Sequence, residues 1–374
     1  MPTGLKLSST VTSAGQLQLR LQKGEIPELK DSQILVKIEA TPINPSDLGT
    51  LLGAADVEQG VSGSQDGLPT YDAPIISGAM AAMGSRLDIP LPIGNEGAGE
   101  VVAAGSDPAA QALIGKTVGV MGGAMYAQYR AVDVAMALPL PEGVTSRQGA
   151  SNFVNPMTVL AFLETLRMEG HKALIHTAAA SNLGQMLVKV CKDDGIPLVN
   201  VVRSAEHVAM LRDLGAEHVV DSSTDGFKND LNAAIQATGA TLAFDAIGGG
   251  KMADALLGAM EASLSDGDPN NRYGSTTHKQ VYIYGSLAPV PTTLNRSYGM
   301  AWGVGGWLVM NTLAKVGGAR AAELRTRVAN EITTTFASHY SDEISLTQAL
   351  DAETVKAYQR KATGRKFLIN PSLN

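Results

Sequence analysis

"ALIHTAAASNLGQML", residues Ala173 to Leu187, holds a short apolar run, a cluster of small residues and the beginning of a helical pattern. It reads as a buried strand, a tight turn and a helix start, the arrangement in which a pyrophosphate rests on backbone N–H groups and on the positive end of a helix. Such turns are usually crowded with glycine. Here alanine, serine and asparagine fill the turn and only Gly184 remains. Ala179, Ser181 and Gly184 stand at the three positions of G-x-G-x-x-G, where small residues permit the turn, the close approach of backbone to phosphate and the packing of helix on strand. Ala179 and Ser181 each bring a Cβ, so the approach is looser. In exchange the side chains of Ser181 and Asn182 can donate to phosphate beside the amides of Leu183 and Gly184. By itself the stretch fits a ligand-free strand–helix turn equally well.

The surrounding rhythm supports a nucleotide fold. "NPMTVLAFLETLRMEG" reads as a helix, with Pro156 in its first turn and Gly170 at its end. Then follow strand 173–177, helix 182–194, strand 197–202, helix 205–214, strand 218–220, helix 227–238, strand 241–247, helix 251–263 and strand 280–287. Alternating apolar strands and helices form a parallel sheet covered on both faces, a Rossmann-type doubly wound α/β unit.

The first third has another texture. Leu17–Gln22 alternates apolar and polar residues, and Ile34–Ala40 is stopped by Pro42 and Pro45. Gly99–Gly105, Lys116–Met121 and the stretches "MYAQYRAVD" and "AMALPLPEG" continue a pattern of short strands between Gly and Pro turns, which predicts a β-rich, partly closed domain. Gly53 to Pro90 lacks periodicity and reads as a long irregular loop. The tail has a strand-like piece, a helix near 346–362 and a strand at 366–370, and is expected to rejoin the first domain. The division is therefore 1–152 with 313–374 as a β-rich catalytic domain, and 153–312 as the dinucleotide-binding domain. A chain of 374 residues suits two domains, since single cores stop growing near ~250–300 residues.

Composition narrows the class. A net charge of −7 with no basic run argues against a nucleic-acid partner. The single cysteine, Cys191, rules out a disulfide within this sequence and points to a reducing compartment. "MPTGLKLSST" lacks the apolar core of a signal peptide, and no stretch approaches the ~20 apolar residues of a membrane span. A cytoplasmic protein with no membrane partner is the expectation.

The strand after the turn bears on the cofactor. NAD-binding folds place an Asp or Glu at its end for the ribose hydroxyl. Here "LVNVVRSAEH" places Arg203 and Ser204 there. A guanidinium pairs with a 2′-phosphate, which a carboxylate would repel, so the position favours NADPH.

Taken in order, "EATPINPSDL" (39–48), "LPIGNEGAGEVVAAG" (91–105), "NPMTVLAF" (155–162), "HTAAASNLGQM" (176–186) and "LRDLGAEHVVDSS" (211–223) resemble the zinc-independent branch of the medium-chain dehydrogenase/reductase superfamily, the quinone oxidoreductases and 2-enoyl thioester reductases. The resemblance covers nearly the whole chain. It implies a GroES-like first domain, NADPH as cofactor, a small electrophilic substrate and a homodimer. It also implies that Thr158 faces the nicotinamide, that Asn44 lies beside it, and that Tyr284, Gly285 and Ser286 border the nicotinamide ribose. "WGVGGWLV" (302–309) corresponds to the segment whose backbone meets the carboxamide, with Trp307 as a pocket-closing or interface residue.

The zinc branch is the rival reading, and residues decide against it. Asn44 stands where zinc enzymes have a cysteine and Asn95 where they have a histidine; Glu96 remains without those partners. The six histidines show no ligand spacing, so no metal site is expected. Without a Lewis acid, the expected reaction is hydride transfer to a carbonyl-conjugated C=C bond or a quinone, where hydrogen-bond donors suffice to stabilise the carbonyl oxygen. The enoyl reductases' tyrosine after "NPSD" is replaced here by Ala54 or Ala55. Tyr71 and Tyr126 become candidate donors beside Asn44, although each taken singly reads better as a packing or surface ring. Two alternatives remain, a zinc-free carbonyl reductase and a non-catalytic NADPH-binding protein.

Overall fold

The apolar runs of the second half pair side by side in one parallel sheet. In spatial order its strands are His218–Asp221, Leu198–Val202, Leu174–Thr177, Leu242–Asp245, Lys279–Ile283 and Trp302–Gly306. The order reverses on either side of Leu174–Thr177, the strand that feeds the small-residue turn. That reversal is where open α/β sheets take their ligands. Every residue of Leu174–Thr177, Leu198–Val202 and Leu242–Asp245 is buried, as strands covered on both faces require. This computed structural model describes residues 3–265 and 272–373.

Helices Val154–Glu169, Asn182–Asp193, Ala205–Asp213, Phe227–Thr238 and Met252–Leu264 alternate with the strands. Gly170 and Gly239 end two of them in the left-handed region (φ +75° and +67°), where a Cβ would be strained. The strand expected over 280–287 stops at Ile283. At Gly285 the chain runs so close to Ala246 that a Cβ would overlap the Ala246 carbonyl oxygen. Helices Val309–Val316 and Gly318–Asn330 occupy a stretch for which no element was expected. The chain divides into two units, Asn155–Leu324 and Met1–Val154 with Arg325–Asn374.

The larger unit is built from two sheets. One is antiparallel, in the order Val61–Gln65, Leu68–Pro74, Gln16–Glu25, Thr3–Val11, Leu91–Pro92. The other centres on Gln33–Pro42, flanked by Glu96–Ala104 on one side and by the C-terminal strand Phe367–Ile369 on the other; Tyr129–Asp133 also pairs with it. The tail thus joins the first-domain strands. Leu17, Leu19 and Leu21 point inward at alternate positions, as the period-2 pattern predicts. Thr3–Val11 is an unanticipated strand in which Leu7, Ser8, Ser9 and Val11 are buried.

The 53–90 segment is not the irregular loop that its lack of periodicity suggested. It contains a hairpin, Val61–Gln65 with Leu68–Pro74, closed by Asp66 and Gly67 at φ +53° and +76°. Two consecutive left-handed residues give the turn twist that suits paired strands, and Asp-Gly is a standard signal for it. Val61–Gln65 is exposed throughout, so it carries no apolar alternation that would have marked it.

Candidate functional site

The turn after Leu174–Thr177 is held by a clamp between neighbouring strands. The Thr177 hydroxyl donates to Asp245 Oδ1 (2.7 Å), and the amide of Ala246 donates to Thr177 Oγ1 (2.8 Å). Asp245 is fully buried and also accepts from the amides of Ile247 (2.9 Å) and Gly248 (3.2 Å). The loops leaving two adjacent strands are thereby fixed to each other. Ala178 takes a left-handed conformation, φ +52°, unusual for a residue with a Cβ.

Ser181 caps the helix Asn182–Asp193, its Oγ accepting from the Gly184 amide (3.2 Å). The expected role for these two residues changes in consequence: the Gly184 amide is spent on the cap, and Ser181 keeps only its hydroxyl hydrogen for a ligand. The Leu183 amide has no hydrogen-bond partner among the described residues. Gly184 is required sterically, since a Cβ there would overlap the Ala179 carbonyl oxygen. The small-residue cradle, the capped helix N-terminus and a free amide fit a pyrophosphate. Arg203, just past Leu198–Val202, is exposed and has no hydrogen-bond or ion-pair partner among the described residues. Ser204 caps the next helix, accepting from the His207 amide (3.3 Å).

Thr158 is buried on helix Val154–Glu169, one turn before Phe162 on the same helix face. Phe162 stacks on Phe244 (centroids 3.7 Å apart) and packs edge-on against Tyr284 (5.0 Å). Trp307 leans on Phe162 (4.7 Å), and its indole N–H donates to Thr165 Oγ1 (3.1 Å). Tyr284 and Trp307 are therefore set in an aromatic cluster rather than free at the surface. Gly285 is fixed by its approach to Ala246, and Ser286 is exposed.

In the other unit a buried polar network surrounds the "NPSD" turn. Asn44 is buried at the start of helix Pro45–Leu51, and its Nδ2 donates to Glu96 Oε1 (2.9 Å). Glu96, fully buried, also accepts from Ser151 Oγ at Oε1 (3.3 Å) and from the amides of Phe153 and Val154 at Oε2 (2.6 and 2.9 Å). Lys366 Nζ donates to Ser151 Oγ (3.1 Å), and burial lowers its pKa to about 8. Asp47 accepts from the amides of Asn44 (2.8 Å) and Asn95 (2.9 Å), while burial raises its pKa to about 7. The Asn95 side chain bonds Ser46 Oγ (3.2 Å). These residues do not fit a zinc ion. Two amides stand at the would-be ligand positions, and both Glu96 oxygens are saturated by hydrogen-bond donors. Among the described residues no three His, Cys, Asp or Glu side chains form a group that would hold a metal.

Neither candidate tyrosine is placed as a donor to a ligand. Tyr71 is a fully buried core residue of strand Leu68–Pro74, and its hydroxyl donates to the Val57 carbonyl (3.2 Å). Gly60 makes room for it, since a Cβ there would overlap the phenol. Tyr126 is equally buried, donates to the Pro42 carbonyl (3.3 Å) and lies beside Asp47. Both expectations give way to packing, because each ring fills a core position. Sequence reading missed Ser151, Lys366 and the Thr177–Asp245 pair. For Thr177 and Asp245 the available signal was a polar residue closing an apolar strand; Ser151 and Lys366 carried no local signal.

The Asp47 carboxyl has a pH consequence. Its folded pKa, about 7, lies above the usual carboxylate value near ~3.9, so between those pH values the folded state binds the extra proton. This group makes the fold less stable as pH rises from about 4 to about 7. Asp47→Asn should lack that slope. Its melting temperature should gain on the parent between pH 5 and pH 8, and parallel melting curves across that range would refute the assignment.

Residues 30–142 match the family model for the alcohol dehydrogenase GroES-like domain, and residues 183–263 that for the zinc-binding dehydrogenase. The chain is 30% identical over 162 residues to mouse (Mus musculus) prostaglandin reductase-3, a match covering 43% of this chain and 42% of that protein. It is 29% identical over 216 residues to the mitochondrial enoyl-[acyl-carrier-protein] reductase of Xenopus tropicalis, covering 54% and 51%. These matches span about half or less of those relatives. Among solved structures, a putative NADPH:quinone reductase from Mesorhizobium loti superposes with a TM-score of 0.74 at 24% identity over 99% of both chains. The Etr1p complex with NADP and crotonyl-CoA gives 0.67 at 21% identity over 99% of this chain and 100% of that one. The motifs, the sheet order and these matches agree: the chain belongs to the medium-chain dehydrogenase/reductase superfamily, in its quinone oxidoreductase and enoyl reductase branch.

Proposed function

We propose that this oxidoreductase uses NADPH to reduce a carbonyl-conjugated C=C bond or a quinone, without zinc. The observation that carries the proposal is the cradle at the sheet's switch point combined with the unpaired Arg203 beyond the neighbouring strand. The cofactor supplies a hydride when bound. The protein's part is to hold it: the Leu183 amide, the Ser181 hydroxyl and Asn182 at the pyrophosphate, Arg203 at the 2′-phosphate, and Thr158, Tyr284, Gly285 and Ser286 toward the nicotinamide. Trp307 supports that end through Phe162 rather than closing a pocket. Ser204, engaged as a cap, orients the helix beside Arg203.

Asn44 is the polar residue proposed to face the substrate side, with its amide oriented by Glu96. A conjugated acceptor or a quinone needs only hydrogen-bond stabilisation of its oxygen, which suits a residue set without metal-ligand chemistry. A homodimer is also proposed. Among the described residues Trp302–Gly306 is an edge strand that pairs with Lys279–Ile283 alone, and Leu308, Met310 and Met300 beside it are more than half exposed. No helix among the described residues is long and apolar enough to cross a membrane.

NADPH oxidation followed against enones, enals, enoyl thioesters, quinones and saturated ketones tests the reading. Turnover should appear with the conjugated acceptors or the quinones. Tight NADPH binding with no turnover anywhere would leave only a binding protein, and turnover confined to saturated ketones would favour a carbonyl reductase. Arg203→Glu should weaken NADPH by at least about tenfold while leaving NADH nearly unchanged; equal losses would remove Arg203 from the 2′-phosphate. Light scattering at micromolar concentration should give the dimer mass, and a monomer would refute the edge-strand interface.

A further inference from the structure

His176 and Tyr284 form a polar pair inside the aromatic cluster. His176 lies on strand Leu174–Thr177 with no solvent exposure, and its Nε2 is 2.7 Å from the Tyr284 hydroxyl. Phe162 packs against both rings, with centroids 6.0 and 5.0 Å away. His176 Nδ1 is buried and has no hydrogen-bond partner among the described residues. Burial lowers the His176 pKa to about 3, so at neutral pH the ring is uncharged and carries a single N–H.

That proton has two places to sit, and their costs differ. On Nδ1 it would leave a buried N–H with no acceptor, which folded proteins rarely tolerate. On Nε2 it donates to the Tyr284 oxygen and leaves only a lone pair unmatched at Nδ1. The second arrangement is the cheaper one. Its consequence falls on the tyrosine. Because Tyr284 accepts from His176, its own O–H hydrogen is unspent, and no other partner for it exists among the described residues. Tyr284 is half-buried and directly follows strand Lys279–Ile283, at the carboxyl ends of the parallel strands, on the Phe162 side that also carries Thr158. Ligands of open α/β sheets bind outside those ends.

We propose that Tyr284 donates a hydrogen bond to a carbonyl oxygen of a bound ligand, with His176 as the positioning residue that orients its hydroxyl. This rests on the reductase reading, under which two carbonyls qualify: the nicotinamide carboxamide and the conjugated carbonyl of the substrate. Burial raises the phenol's pKa, so Tyr284 lends a hydrogen bond and keeps its proton.

Nitrogen-15 NMR of histidine-labelled protein reads the tautomer directly. The Nε2–H form of His176 is expected, and the Nδ1–H form would overturn the proposal whatever the activity. Tyr284→Phe should lose about tenfold in one of two places, about 1.4 kcal/mol. A loss in NADPH dissociation constant assigns the carboxamide. A loss in kcat with an enone, at unchanged NADPH affinity, assigns the substrate carbonyl. No loss in either refutes the donor role. His176→Phe should reproduce the Tyr284→Phe defect without adding to it in the double variant, and His176→Gln, which keeps an N–H, should recover part of it; additive losses would show that His176 does not act through Tyr284. If the His176 variants fail to fold, the tautomer and Tyr284→Phe still decide. A parent protein that binds no NADPH would defeat the reductase reading, while the tautomer would still report on the His176–Tyr284 geometry.

Discussion

The hydrogen bond from Thr177 to Asp245 joins the ends of the two strands that flank the switch point, and much of the nucleotide unit depends on it. A buried carboxyl is costly unless its oxygens are satisfied. Asp245 is satisfied by the hydroxyl that ends the neighbouring strand and by two backbone amides of the turn that follows its own strand. The requirement to satisfy one acidic side chain thus dictates the path of two loops. Once Ala246 is fixed, the backbone beyond Lys279–Ile283 can approach only through a glycine, which places Gly285 and, just before it, Tyr284.

The β-rich unit repeats the principle with a different carboxyl. Glu96 collects the Asn44 amide, the Ser151 hydroxyl and two backbone amides at the start of helix Val154–Glu169. Leaving a buried polar group of this kind without hydrogen-bond partners costs about 1–3 kcal/mol or more. Glu96 therefore serves as an organising centre for the "NPSD" turn. Arg86 extends that organisation from outside, donating to the carbonyls of Gly49 (3.0 Å) and Thr50 (2.8 Å) near the end of the helix that Asn44 begins. A guanidinium at a helix C-terminus complements the helix dipole.

Local patterns made some elements readable and left others hidden. The strands of the parallel sheet appear as apolar runs because both of their faces are covered. The helix beginning at Asn182 is announced by Ser181, a side chain whose capping bond is purely local. Val61–Gln65 escaped because an exposed strand needs no apolar face, although Asp66–Gly67 marked its turn. Tyr71 and Tyr126 read as candidate donors because a tyrosine's letter does not say whether its ring faces a core. Lys366 and Glu96 lie 270 residues apart in the chain, and nothing local to either one announces the other.

Sequence alone determined the class of fold, the location of the nucleotide turn and the superfamily, since all three are written in periodicity and short motifs. Tertiary structure decided what each polar group is free to do. Gly184 shows both sides. Its smallness is legible as a motif position, but only the folded chain shows that it answers the Ala179 carbonyl and that its amide is spent on Ser181. The reason is physical. Hydrogen-bonding capacity belongs to a residue, whereas its occupancy depends on neighbours that the chain brings together only by folding.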